Sequence, residues 1–429
     1  MNDTSLKLTE AVRNDLTPSL GVTEPGAIAY ASACAARALG GKVETVSVRL
    51  NSGIYKNSFT CAVPGTGGIG CALATALGAV CGDPEKRLMS TAEASAEDIE
   101  AAKRLVSEGR AAVSLASISP DIFIEATVLG DNGSAAALIE GKHDSLSGLT
   151  VNGKDIPIEY NGGSKDEDAF SISSVSFDDI LRCVEEADGL DFLDEAVRMD
   201  MTLFEEGRDN GLIPLTAARC RGADAESLAE LVTCGAIEAR VRGAAAPAMA
   251  ITGSGSHGIL CMLPVYAYAD SIGAEPVLTQ RAILLSSLIT KYIKELSGLL
   301  STACGCVLAG GTGAALGITY LKAKAKSVSA KELKVMLSNA LNSMAASVTG
   351  MICHGGNTGC SLKAAIGVKM AFAAAEMAAL GRGAESVHGI LGLTPEETMR
   401  NMGRVACGML PVESTIIDIM SCKGSSNLI

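Results

Sequence analysis

Nearly half of this chain is apolar, yet almost none of that material is aromatic: 7 Phe, 7 Tyr and no Trp stand against 47 Gly in 429 residues. A core without large rings must bury its surface through closely approaching backbones, which Ala, Leu, Val and Gly permit and which favours packed helices. From Asp178 onward the chain reads as helical and Ala-rich, with breaks at Gly253–Gly258, Gly310–Gly317 and Gly355–Gly359. Charged residues make up 19% and apolar ones 48%, so the chain is globular and long enough for two or three lobes.

The first 160 residues are more varied. Residues 4–20 read as a helix, and a second starts at Thr23-Glu24-Pro25, with Thr23 as its cap. Lys42–Leu50 alternates like a strand, with Phe59–Val63 as its expected partner, and helices follow over Ile69–Val80 and Ala96–Gly109. Between 111 and 160, short β-leaning runs are separated by Asp-Asn-Gly, Gly-Lys-His and Asn-Gly, and Asn161–Asp168 reads as an exit linker. The expected class is α+β: a mostly helical body with a small antiparallel β-rich insert. The expected parts are 1–109 (helical with short strands), 110–168 (β-rich) and 169–429 (helical, packing with the first). No repeat of 20–50 residues is present.

The formal charge is −13 and the sequence pI is about 4.9. Without a basic stripe or stacking aromatics, no nucleic-acid partner is expected. Gly243–Ala269 and Leu296–Leu321 are long enough to span a bilayer, but glycines and polar residues interrupt them, so they read as buried core and no membrane partner is expected. The polar N-terminus lacks a signal-peptide core, which points to the cytoplasm. There, 14 cysteines are not a disulfide framework. Cys34, Cys61, Cys71, Cys81, Cys220, Cys234, Cys261 and Cys407 sit among small apolar residues and read as packing.

Cys304, Cys306, Cys353 and Cys360 differ, because they fall in the most glycine-rich part of the chain. His354-Gly355-Gly356-Asn357-Thr358-Gly359 cannot hold a helix, so a loop joins Cys353 to Cys360, and Cys360 opens a helix whose dipole favours thiolate. Cys304 lies in a comparable break, so three sulfurs can converge from two loops. No C-x-x-C occurs, which speaks against a zinc knuckle. Three ligands on an iron–sulfur cluster leave one iron open, and buried cysteines are the alternative reading. Two G-x-G-x-x-G segments, Gly65–Gly70 and Gly253–Gly258, are weak against about 0.6 chance matches, and neither leads into a second strand. As helix-opening turns they offer N–H groups to a carboxylate or phosphate, or else they permit tight helix crossings.

Gly21-Val22-Thr23-Glu24-Pro25, Lys56-Asn57, Pro64-Gly65-Thr66-Gly67, Gly253-Ser254-Gly255, Cys304-Gly305, and Gly350-Met351-Ile352-Cys353 with Cys360 occur in this order. Together they resemble the L-cysteine desulfidase family, which is related to the iron–sulfur L-serine dehydratase α chain. The resemblance spans nearly the whole chain. It implies a [4Fe–4S] lyase splitting a small amino-acid substrate such as L-cysteine into pyruvate, ammonia and sulfide, with Cys304, Cys353 and Cys360 as ligands. L-serine or L-threonine dehydration, or a non-catalytic relative, are the alternatives.

Three departures bear on the base. Val22 stands where many relatives have a cysteine, His354 where they often have Asp, and His257 lies in a loop that often reads G-S-G-N-Q-G. His257 and His354 are therefore the candidate bases, with Lys56 behind them. Gly65, Thr66, Gly67 and Ser254 are expected at the substrate carboxylate and Glu24 at its ammonium, with Thr23 and Asn57 beside them; Glu24 also suits a helix first turn. Cys422 reads as a tail cysteine or an occasional ligand. The Ala/Gly-rich apolar surface is compatible with a homodimer.

Overall fold

The computed structural model describes residues 2–158 and 170–423; the expected linker at 161–168 lies outside the described residues. The first part runs α1 (Asp3–Arg13), β1 (Thr17–Leu20), α2 (Thr23–Leu39), β2 (Val43–Asn51), α3 (Ser52–Ser58), α4 (Cys71–Cys81), α5 (Ala96–Ser107), β3 (Ala111–Ser117), β4 (Phe123–Gly130), β5 (Gly133–Glu140), β6 (Leu146–Val151) and β7 (Lys154–Asp155). The body follows as α6 (Phe177–Glu186), α7 (Asp191–Asp209), α8 (Pro214–Arg219), α9 (Ala225–Val241), β8 (Pro247–Ala250), α10 (Gly255–Ser271), α11 (Pro276–Ser297), a π-helical turn Cys306–Gly311, α12 (Thr312–Ala325), α13 (Ala330–Val348), α14 (Gly359–Ala379), α15 (Pro395–Gly408) and α16 (Leu410–Ser421).

The class is α+β, as expected, but the sheet is mixed rather than antiparallel. Its order is β3-β2-β4-β5-β6-β7, and β2 pairs in parallel with β3 and antiparallel with β4. The division at residue 109 therefore does not follow the packing, because β2 lies inside the sheet that 111–155 completes. The partner expected for β2 is also different: Phe59 ends α3, and Ala62 forms only an isolated bridge with Ile69. Alternation explains the sheet's buried face. Ile124, Ala126 and Val128 on β4, with Ala135, Ala137 and Ile139 on β5, share one core with Ile28 of α2 and Leu77 of α4.

A second core joins the helices of the body, and Leu260, Leu288 and Leu316 are fully buried in it. Leu8 and Val12 of α1 belong to this core, so the chain starts in the body and enters the sheet lobe afterwards. The crossing is a two-stranded ribbon, β1 against β8, where a continuous helix was expected. α10 runs through Pro264, and the π-helical turn passes straight into α12, so the break expected over Gly310–Gly317 is absent. Cys306–Ala325 is long and apolar enough to cross a membrane, but the apolar window within it is 89% buried in the fold. Cys407, expected in the core, is exposed.

Candidate active site

Backbone hydrogen bonds clamp together the two loops that carry the clustered cysteines. Cys304 N–H donates to Met351 O at 2.7 Å and Cys353 N–H to Thr302 O at 2.7 Å, around a bridge between Ala303 and Ile352. Cys360 follows in the first turn of α14, its N–H bonded to Asn357 O at 2.9 Å. Gly355 lets this loop seat on α3: its φ is +98°, and a Cβ there would collide with the carbonyl oxygen of Lys56. As a result Cys304, Cys306, Cys353 and Cys360 all line one cavity of about 60 Å³. Larger clefts exist, such as one of about 470 Å³ beside Arg382 and Glu385, but it gathers no thiol or imidazole.

The other walls are ionic. Glu24, at the start of α2, accepts from Asn57 Nδ2 at 2.7 Å, and Asn57 Oδ1 lies 3.6 Å from the Cys353 thiol that donates to it. Lys294 of α11 is 2% exposed and, among the described residues, donates only to Leu299 O, at 3.1 Å. Behind the cavity, Arg240 of α9 is 3% exposed and bridges Ser256 Oγ at 2.8 Å and Thr23 Oγ1 at 3.0 Å, leaving Nε without a partner. Neither cation has a carboxylate at ion-pair distance among the described residues. Two buried, uncompensated cations create a field that favours an anion or thiolates between them. Burial pushes the Lys294 amine down to about 8.

His257 lines the same cavity, and its surroundings fix its tautomer. Thr252 Oγ1 donates its proton to Ile251 O at 2.7 Å and lies 2.7 Å from His257 Nδ1, so Nδ1 carries a proton and donates to the hydroxyl. Nε2 is left with a free lone pair, facing Gly305 beside Lys294 Nζ. Burial, with Lys294 and Arg240 adding to it, holds the ring well below the usual histidine range and hence neutral.

Iron–sulfur groups are held by thiolates, and the donor set fits one. Four thiols share the cavity, and the neighbouring Cys306 holds Cys304 toward thiolate while Cys306 itself is pushed up. Burial pushes Cys360 up to about 12, so the expected effect of its helix dipole is outweighed while the site holds only thiols. Among the described residues no three His, Cys, Asp or Glu side chains are already drawn to ligand distance around one point. That geometry would serve a single ion; a cluster takes each thiolate on a different iron, so its ligands do not have to converge on one point.

Of the residues expected at the site, Glu24, Asn57, Ser254, His257, Cys304, Cys353 and Cys360 meet at this cavity. Thr23 reaches it only through Arg240, and Val22, not Thr23, occupies the cap of α2. Lys56 does not reach it: the amine is buried in an ion pair with Glu413 of α16, at 2.8 Å. His354 faces a neighbouring groove lined by Phe59, Ile416, Met420 and Lys423, with its Nδ1 3.1 Å from Asn357 Nδ2.

The Gly65–Gly67 turn also lies elsewhere. The Thr66 hydroxyl is used internally, donating to Val63 O at 2.7 Å and accepting from Gly68 N–H at 3.1 Å. Gly65 and Gly67 supply the positive φ of the turn, +73° and +67°, while the bare Gly21 lets Pro64 press close and Gly65 N–H reaches Gly243 O. Val22 packs with Cys61 and Val241 against Cys360, so position 22 adjoins the site without a proton-transferring group. Cys422 is exposed at the end of α16. Lys294, Arg240, Lys363 and His143 were not expected from the sequence.

The serine dehydratase alpha chain family profile matches residues 86–417. A UPF0597 protein of Clostridium botulinum is 37% identical over 422 residues, which cover 95% of this chain and 97% of that protein. UPF0597 proteins of Caldanaerobacter subterraneus subsp. tengcongensis and Geobacter sulfurreducens are each 33% identical, covering 97% of this chain and 99% and 98% of theirs.

Proposed function

The chain belongs to the UPF0597 family and to the serine dehydratase alpha chain family, and from that premise we propose that it is an iron–sulfur lyase removing the β-substituent of a small amino acid, L-cysteine before L-serine. The observation that carries this reading is the meeting of four thiols, a neutral histidine with a free Nε2 and the buried Lys294 at one small cavity, with Arg240 buried behind it. Cys304, Cys353 and Cys360 would hold the cluster, with Cys306 beside them. When bound, the cluster supplies an open, Lewis-acidic iron that eases departure of thiolate or hydroxide.

The chain's own residues do the rest. Glu24, held by Asn57, takes the substrate ammonium, and Lys294 takes its carboxylate. His257 Nε2 removes the Cα proton, with Thr252 fixing the ring and sharing the charge that develops on it. Loss of the β-substituent leaves an enamine, which tautomerises to an imine; water then gives pyruvate and ammonia. For L-cysteine the balance is cysteine plus water to pyruvate, ammonia and hydrogen sulfide.

The test is iron and acid-labile sulfide in protein purified without oxygen, with pyruvate release from L-cysteine and L-serine. About four iron and four sulfide per chain, and loss of both with activity in Cys353→Ser, are expected. Neither metal nor turnover after anaerobic reconstitution, or a Cys353→Ser variant with wild-type turnover, overturns the assignment. Faster release from L-serine than from L-cysteine would keep the lyase and reverse the substrate order.

A further inference from the structure

We propose that the turn between β5 and β6 supplies the cavity with a substrate-binding imidazole, His143, which shares the ammonium of a short α-amino acid with Glu24. The inference rests on the lyase reading above and adds a contact from the sheet lobe to it.

Hairpin tips are ordinarily solvated, and here Lys142 is exposed and Asp144 half-buried. His143 between them is 5% exposed and points into the cysteine cavity. The turn is built to hold it there. Glu140 N–H donates to Ser145 O, Ser145 N–H donates to Lys142 O, and Asp144 pairs with Arg87 at 3.2 Å. The opposing wall is bare: Gly253 has φ +74°, and a Cβ there would lie 2.9 Å from His143 Nδ1.

His143 Nε2 is buried and has no hydrogen-bond partner among the described residues. A buried polar atom without a partner is unfavourable, and an apolar side chain would fill this position more cheaply unless something arriving in the cavity satisfies the nitrogen. The identity of that group follows from the neighbours. Glu24 is the charge that acts most strongly on the ring, and one of its oxygens is already taken by Asn57. An ammonium offers three donors, more than the remaining Glu24 oxygen accepts, and an imidazole lone pair is a matching acceptor. Lys294, which lines the same cavity, is left for the carboxylate end of the substrate. A bound amino acid is then held by both lobes at once.

The test compares wild-type holoenzyme with His143→Ala, His143→Gln and His143→Asn, using L-cysteine as substrate and L-alanine and 3-mercaptopropionate as inhibitors. Glutamine places its amide near the position of Nε2, and asparagine reaches only that of Nδ1. His143→Ala and His143→Asn are expected to raise KM and the L-alanine inhibition constant about tenfold, with kcat changed far less. His143→Gln is expected to stay near wild type. Inhibition by 3-mercaptopropionate, which has no ammonium, is expected to be unchanged in all three, which also reports an intact cavity. Variants that keep the wild-type KM, or that lose both inhibitors equally, overturn the proposal. A wild-type protein without iron or turnover overturns the lyase reading instead, before any variant is compared.

Discussion

Lys56 separates a structural reading from a catalytic one. Its Nζ lies 2.8 Å from Glu413 Oε2, and the two side chains are 1% and 3% exposed, so both charges are desolvated and each is the other's compensation. Removing the amine alone strands a buried carboxylate, a loss of about 3–5 kcal/mol, or about two to four orders of magnitude in the ratio of folded to unfolded chain. Replacing both partners with apolar side chains of similar size leaves nothing stranded and is expected to be neutral or slightly stabilising. The experiment compares Lys56→Met, Glu413→Leu and the double variant by denaturant unfolding followed by circular dichroism, since the chain has no Trp to report by fluorescence. Specific activity of the folded fraction is measured alongside. Each single variant should unfold at markedly lower denaturant, and the double variant should recover both stability and turnover. A double variant that is stable but inactive would place Lys56 in the chemistry. An unchanged midpoint in Lys56→Met would refute the electrostatic argument itself.

Three further outcomes follow from single positions. Thr252→Val removes the group that fixes His257 Nδ1–H and should lower kcat on the order of 10- to 100-fold with little change in KM, so wild-type kinetics would discard His257 as the oriented base. Gly355→Ala forces a side chain onto φ +98° and against the Lys56 carbonyl; a loss of roughly 2–4 kcal/mol in unfolding free energy is expected, and less than about 0.5 would show that the loop seats otherwise. Burial raises the Asp200 carboxyl well above its ordinary range, so the folded chain keeps a proton that the unfolded chain releases above about pH 4, and stability falls as pH rises from there. Asp200→Asn keeps an acceptor for Met249 N–H and does not titrate; its advantage over wild type in unfolding free energy should grow from pH 5 to pH 8, and an advantage that shrinks contradicts the burial argument.

Local chemistry made much of the site readable. Six residues between Cys353 and Cys360 include three glycines, an Asn and a Thr, and such a stretch has to be a loop wherever it lies in a fold. Glu24, Asn57, Ser254 and His257 were reached through their motifs, and the cavity gathers all four. What failed was whatever depends on partners distant in the chain. Alternation marked β2 as a strand, but nothing in nine residues says that its neighbours are β3 and β4 and not the segment that follows it. The Gly65–Gly67 turn has the composition of an anion nest, and the same composition serves a tight turn whose two glycines take φ of +73° and +67°.

The buried cations were missed for a more instructive reason. Ser287, Thr290, Lys294 and Ser297 recur along α11 at helical spacing, and a polar stripe of that kind is ordinarily the solvated face of an amphipathic helix. Here all four are buried, and at Thr290 the opposing surface is the glycine-rich start of α12. A Cβ on Gly313 would meet the Thr290 hydroxyl at 2.5 Å, so the two backbones approach too closely for larger side chains between them. In a chain with this many glycines and so few rings, small polar residues also serve as packing surface. A lone lysine within such a stripe is then carried into the interior with them. Arg240 gives the complementary signal, since it falls four residues after Ala236 and three after Ile237, on the buried side of α9. Where helices pack through glycine, a charge continuing either kind of stripe is the feature to follow to an active site, because no aromatic wall is available to enclose one.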